Sequence, residues 1–200
     1  MNWFENILLN FDLTWLSARI IPFLLIQLIS ILVCFMLAKQ NLIRKKLPKF
    51  ASYFLILFSP ISIYFYLFPI YQGDIFDLGQ KPKTTIQFST NKKLVVFALP
   101  DCPYCHESRL ILEKLLKRNP SIQIEIWICG NQFDSYYSSI ESKNLKIIQF
   151  NEFDKTIYLT EGVFPTYVIT ENRKLVKRWT NRTFGARSLD ELEAFFEVHK

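Results

Sequence analysis

The chain has 200 residues, a formal net charge of +6 and a hydrophobic share of 50%. That length could hold one ordinary domain, but the apolar residues are concentrated in the first third, which makes membrane segments the first thing to test. The positive charge suggests nucleic acid, but five of the basic residues sit in one short loop between apolar segments, and no nucleic-acid partner is expected.

In chain order, Trp3, Phe4, Leu8, Phe11 and Trp15 stand among polar neighbours, the composition of an interfacial helix. No residue from 20 to 38 is charged. At the helical rise that stretch spans about 28 Å, close to the roughly 30 Å hydrocarbon core, and predicts one membrane-spanning helix. A second is predicted over about 50–71, again without charge and kinked at Pro60. Lys39, Arg44, Lys45, Lys46 and Lys49 fill the loop between them, whereas the first fourteen residues hold no Lys or Arg. Basic residues in short loops are retained in the cytoplasm. Loop 39–49 is therefore expected inside, and the N-terminus and the rest of the chain outside, in the periplasm if the cell is Gram-negative; Arg19 alone weighs the other way. The start lacks a basic n-region and a small-residue cleavage site, so it reads as a retained anchor in a lipid bilayer.

Residues 1–80 thus form a membrane anchor that ends in a Gly-, Asp-, Lys- and Pro-rich linker at 72–83, and residues 81–200 form a folded domain. Leu94-Val95-Val96-Phe97-Ala98-Leu99 is a continuous apolar run suited to a strand buried on both faces. Leu110, Ile111, Leu112, Leu115 and Leu116 recur at helical spacing, and the pattern ends near Arg118 to Pro120. Ile122, Ile124, Ile126 and Ile128 alternate with polar residues and Trp127, a second strand, so the order strand, helix, strand makes a parallel crossover unit. A short helix is expected over 136–142 and an extended piece over 145–150. Residues 165–170 and 175–180 read as an antiparallel pair across Glu171-Asn172-Arg173, and Ser188-Leu189-Asp190-Glu191 as a capping box opening a last helix. Arg173, Lys174, Lys177, Arg178, Arg182 and Arg187 read mainly as the solvated face of that hairpin.

The chemistry lies at Cys102-Pro103-Tyr104-Cys105, where a buried strand turns into a helix and Pro103 takes the first helical position. The unpaired N–H groups of the first turn and the helix dipole favour an anion there. Cys102 is therefore the expected attacking thiolate, and Cys105, one turn in and less accessible, the resolving thiol. His106 reads as a helix residue that tunes the thiolate, and Asp101 as a carboxylate that opposes the helix effect. Tyr104 supplies surface shape or a substrate contact. Cys129 reads as a buried hydrophobe and Cys34 as packing within the first membrane helix.

These residues resemble the thioredoxin superfamily over roughly Thr84 to the C-terminus, and Gly162-Val163-Phe164-Pro165-Thr166 is similar to its cis-proline segment. The resemblance implies an α/β fold, a central mixed sheet flanked by helices, preceded here by the two transmembrane helices. It also implies a cis Pro165, and a Phe164 whose backbone pairs with the substrate. The Pro-Tyr pair between the cysteines is similar to that of glutaredoxins, while the long interval from Cys102 to Pro165 and the tether are similar to the anchored extracytoplasmic reductases that serve cytochrome maturation. Val96 stands where thioredoxin has a buried carboxylate, and Asp101 where a tryptophan commonly precedes the first cysteine. The function implied by the resemblance is that of a thiol–disulfide oxidoreductase with a Cys102–Cys105 redox disulfide and no other cofactor, whose partners are protein thiols or disulfides and a redox partner protein.

Two readings compete. A tethered thioredoxin-like module could use the disulfide structurally and bind partners without turnover. Cys102 to His106 also satisfies the pattern of covalent haem attachment. Against haem, the folded domain has no Met and only His199 as a further histidine. A metal site lacks two further ligands at usable spacing, so none is expected.

Overall fold

The computed structural model describes residues 3–39, 46–130 and 144–197. They form two compact units, Met1–Ile75 and Phe76–Lys200.

In the first unit, α1 (Trp3–Asn10) is separated from α2 (Trp15–Lys39) by a turn in which Asp12 has φ 57°. Thr14 Oγ1 accepts the Ser17 N–H at 3.2 Å and so caps α2. Helix α2 contains Pro22, and α3 (Lys46–Leu67) contains Pro60. Both start before the uncharged stretches do, because a helix extends past its apolar run to its own cap. The Phe23 and Tyr64 rings meet edge to face at 4.8 Å, and the Cys34 thiol donates to Tyr53 O at 3.6 Å, a pairing that runs α2 and α3 antiparallel. Leu24, Leu28, Leu32 and Phe35 of α2, and Phe54, Leu55 and Phe65 of α3, are exposed. Both helices are long and apolar enough to cross a membrane. Arg19 is neutralised locally: it donates to Glu5 Oε1 at 2.5 Å and Pro69 O at 2.7 Å and lies 3.5 Å from Asp74. A short α4 (Gln72–Ile75) follows.

The second unit is built on a five-stranded sheet of order β3-β2-β1-β4-β5. These strands are β1 (Lys93–Ala98), β2 (Ile124–Cys129), β3 (Leu145–Phe150), β4 (Thr166–Glu171) and β5 (Lys174–Thr180). The pairs β1–β2 and β2–β3 are parallel; β4 is antiparallel to both β1 and β5. Every residue of β1 is buried, as its continuous apolar run requires at the sheet centre. Helix α5 (Pro103–Arg118) connects β1 to β2, α6 (Phe153–Thr160) lies between β3 and β4, and α7 (Ala186–Glu197) closes the unit. The fold is thioredoxin-like: a mixed five-stranded sheet with helices, preceded by two long apolar helices.

Strand register sorts the side chains by face, since residues opposite one another point the same way. Phe97 lies opposite Trp127 and Thr166, and Trp127 opposite Ile148. On this face Phe97 meets Trp127 edge to face at 5.3 Å, and Trp127 stacks on Phe150 at 4.6 Å. Val95, Val168, Leu159 and Cys129 join the same cluster. Burying a side chain the size of Phe97 contributes roughly 1.5–3 kcal/mol. The β4–β5 loop is the two residues Asn172 and Arg173, at φ 50° and 66°, the conformation that matches strand twist in a tight hairpin.

Four sequence expectations change. Helix α6 has no counterpart in the sequence reading: it is eight residues long, and its apolar Phe153, Ile157 and Tyr158 are exposed while Leu159 is buried. The capping box does not form. A turn at 180–185, closed by Thr183 N–H and Phe184 N–H donating to Thr180 O at 2.9 Å each, starts α7 earlier, at Ala186. Ser188 Oγ instead donates to Thr183 O at 3.3 Å. The stretch 72–83, read as a linker, carries structure of its own: α4 and then a bridge from Gln80 to Arg178. Nor is the basic hairpin wholly solvated: Lys177 pairs with Asp77 and Glu191, and Arg178 is 2% exposed. The helix expected over 136–142 lies outside the described residues.

Candidate functional site

The site begins where β1 leaves the sheet. Asp101 is exposed at φ 55°, a left-handed conformation that aspartate tolerates better than most residues. Cys102 follows at φ −82°, ψ 111° and caps α5, with Pro103 in the first turn where its missing N–H costs nothing. The Cys105 N–H is directed at Cys102 Sγ, 3.3 Å away, and at Cys102 O at 3.0 Å; the His106 N–H reaches Cys102 O at 3.1 Å. The first turn thus directs N–H groups at the sulfur and carbonyl of one residue, where a thiolate gains most from them.

Cys102 and Cys105 are joined as a disulfide with Cα atoms 5.2 Å apart. Their accessibility differs: Cys102 is half-buried and Cys105 is 1% exposed. Ser108 Oγ donates to Cys105 O at 2.7 Å and ties the inner cysteine to the next turn. Tyr104 is 61% exposed beside the pair, and His106 is half-buried. Val96 is buried at 1%, so an aliphatic side chain occupies that strand position.

Phe164 and Pro165 reach the same end of the sheet through topology. Phe97 is opposite Thr166, so β1 departs toward Cys102 at the row where β4 enters from Pro165. The Phe164–Pro165 peptide is cis. The loop is pinned on both sides: Thr166 Oγ1 donates to Val163 O at 2.6 Å and Val163 N–H donates to Thr160 O at 3.1 Å. The Phe164 side chain packs against the Phe97–Trp127 cluster. Gly162, at φ 71°, supplies the turn that a side chain would strain.

The remaining cysteines differ. Cys129 is 1% exposed, and its thiol donates to Trp127 O at 3.4 Å. Burial pushes that thiol up to about 11, with hydrogen bonds involving Thr156 and Ala98 opposing only in part. Cys34 belongs to the first unit. Among the described residues no group of three or more His, Cys, Asp or Glu comes together, and His199 lies outside them.

No protein-family model matches the sequence, and no curated protein matches it either. Solved structures do match. A secreted Mycobacterium tuberculosis disulfide oxidoreductase homologous to E. coli DsbE is 20% identical, with 55% of this chain and 83% of that one covered and a TM-score of 0.39. The thioredoxin domain of a Bacteroides vulgatus thiol-disulfide oxidoreductase is 19% identical over 54% and 80% of the two chains, with a TM-score of 0.40. The exposed lipoprotein thioredoxin Etrx1 of Streptococcus pneumoniae is 16% identical over 55% and 85%, with a TM-score of 0.39. Likenesses of this size assign no residue roles.

The structure adds a residue that sequence reasoning placed in solvent. Arg178 lies on the Val95–Val168 row of the sheet, and its guanidinium donates to Leu159 O at 2.6 Å, Gln80 Oε1 at 2.6 Å and Glu161 Oε1 at 2.8 Å. Its only sequence signal was an alternation with Leu175 and Trp179 that a half-solvated strand would share. Gln80, its distant partner, carries no pattern at all.

Proposed function

We propose that this chain is a membrane-tethered thiol–disulfide oxidoreductase that exchanges disulfides with extracytoplasmic proteins through Cys102 and Cys105. The supporting observation is the paired geometry at the start of α5: an accessible Cys102 whose sulfur faces a first-turn N–H at 3.3 Å, backed by a Cys105 that is 1% exposed. The first can meet a macromolecular disulfide; the second can meet only what the first has captured. Tether and orientation rest on the two long apolar helices and the basic loop between them.

In the reducing direction the Cys102 thiolate attacks one sulfur of a partner disulfide, forming a mixed disulfide and expelling the partner's other sulfur as a thiolate. Cys105 loses its proton to solvent and attacks Cys102 Sγ. The partner's second sulfur leaves, two electrons have passed to the partner, and the Cys102–Cys105 disulfide remains. A redox partner protein restores the dithiol by the same exchange run backwards, and oxidation of substrates is the reverse sequence. Phe164's backbone beside Pro165 holds the substrate chain, Tyr104 offers it an exposed ring, and Asp101 and His106 tune the thiolate through their charge and polarity.

The test uses the full-length chain in cells. Cys105→Ser accumulates mixed disulfides that run high on non-reducing gels and collapse with dithiothreitol, and Cys102→Ser accumulates none. Trapping by Cys102→Ser instead inverts the assignment, and trapping by neither leaves the tethered binding module. In sealed spheroplasts a membrane-impermeant maleimide labels reduced Cys102; labelling only after lysis puts the domain in the cytoplasm.

A further inference from the structure

The segment that leaves the first unit is built into the second along β5. Gln80 N–H donates to Arg178 O at 2.8 Å and Arg178 N–H donates to Gln80 O at 2.7 Å, so residue 80 adds one rung to the sheet beyond its last strand. The segment also reaches side chains on the two faces of that strand. On one, Asp77 accepts from Lys177, from Trp179 Nε1 at 2.8 Å and from the Gly79 N–H at 3.0 Å. A Cβ at Gly79 would lie 2.7 Å from Trp179 Nε1, so the approach needs glycine. On the other, the Gln80 carboxamide oxygen accepts from the buried Arg178 guanidinium.

The same guanidinium holds the end of α6. Leu159 O is one of the last carbonyls of that helix and has lost its intrahelical partner; Arg178 Nη1 supplies one, with the positive charge that a helix C-terminus favours. Glu161, in the left-handed conformation at φ 55° that ends α6, accepts from Arg178 Nη2. Three residues later come Phe164 and Pro165. A cleft of about 190 Å³ has Leu78 and Gln80 of the segment on its lining together with Glu161 and Val163 of the loop, and Arg178 and Thr183 as well.

We infer that Arg178 is a positioning residue for partner exchange: braced by the segment 77–80, it holds the end of α6 and thereby the 161–165 loop against which a protein substrate is laid. The inference rests on the proposed exchange function and adds to it that the juxtamembrane segment belongs to the exchange site. The planar fork serves Leu159 from one nitrogen and Glu161 and Gln80 from the other, whereas an ammonium would have to gather all three acceptors around a single nitrogen.

The experiment uses the full-length chain in detergent, with insulin as the protein disulfide, dithiothreitol as the electron source, and a small aromatic disulfide as the second substrate. Arg178→Lys is expected to raise KM for insulin by about tenfold with kcat retained, the signature of lost positioning rather than lost chemistry. Gln80→Ala and Glu161→Gln, which leave the buried guanidinium in place, are expected to raise it by a smaller factor in the same direction. Reaction of Cys102 with the small disulfide is expected to stay at the wild-type rate in all three. Unchanged KM for insulin in the Gln80 and Glu161 variants overturns the inference, and so does a parallel fall in the small-disulfide rate. Should Arg178→Lys fail to fold, those two variants still decide it. A wild-type chain that reduces neither substrate sinks the exchange function itself and the inference with it.

Discussion

Cys102 follows β1 and Cys129 ends the neighbouring parallel β2, and the two thiols sit in different surroundings. Ala98 of β1 lies opposite Ile128 of β2, so both chains reach the same end of the sheet within a residue of each other. From there β1 turns through 99–101 into a helix, and Cys102 becomes the cap whose sulfur faces a backbone N–H. Cys129 is still in its strand, 1% exposed in the aromatic cluster, with its thiol donating to a carbonyl. One environment offers a thiolate an oriented N–H dipole; in the other, burial favours the protonated form and the hydrogen bonds involving Thr156 and Ala98 offset it only in part. The two environments diverge through three residues of turn and a helix start rather than through position on the sheet.

The largest effect that can break this contrast is the alkylation rate. With the chain reduced at pH 7.5, Cys102 should react with a neutral haloacetamide faster than Cys129 by ~100-fold or more, from the thiolate fractions of an ordinary thiol at 9.0 and one held near 11. Peptide mass spectrometry over a time course measures it, and comparable rates would remove the basis for assigning chemistry to one thiol. Cys129→Ala should leave disulfide exchange unchanged.

The next effect is alkaline stability. Cys129's value is raised in the folded state, from 9.0 to about 11, so its contribution is whole below pH 9 and lost as pH climbs through 11. That amounts to about 2–3 kcal/mol, read as a fall in the urea midpoint between pH 9 and 11. Cys129→Ala should flatten that limb.

The acid limb sharpens the contrast with a half-buried group whose partners win. Burial raises Asp77, but hydrogen bonds from Lys177, Trp179 and Gly79, with a further contribution from Glu191, outweigh it and bring the carboxyl from 3.8 to about 2. The stabilisation is present above pH 4 and disappears as pH falls from 4 to 2. With the side chain 22% exposed, it is worth about 1–2 kcal/mol. Asp77→Asn should remove that limb of the urea titration and leave the Cys102 alkylation rate untouched. An unaltered limb would mean that the clasp on β5 holds nothing.

Local patterns announce some elements and miss others. Strand β1 was legible because burial on both faces demands an unbroken apolar run, and Lys93–Ala98 carries one. Cys102, Pro103 and Cys105 were legible because a cap and its helix are written within a few residues. Helix α6 was not, since eight residues hold barely two turns of any period, and its apolar Phe153, Ile157 and Tyr158 face outward rather than to the core. Ser188 to Glu191 matched a capping box in spelling, yet the turn at 180–185 had already started α7 at Ala186.

By itself the sequence determined what depends on near neighbours: two apolar helices long enough to span a bilayer, the order of strand and helix around the cysteines, and which cysteine caps the helix. These follow from hydropathy, backbone geometry and hydrogen bonds closed within a turn. Only the tertiary structure decided where charge goes when its partner is distant. Lys177 finds Asp77 one hundred residues away and Arg178 finds Gln80 at a separation of 98. Both cations look like the surface of a basic hairpin until the chain folds back and covers it. Burial of the Arg178 guanidinium on β5 depends on acceptors brought from the end of α6, from Glu161 and from the segment at 80, and no short window of sequence contains them all.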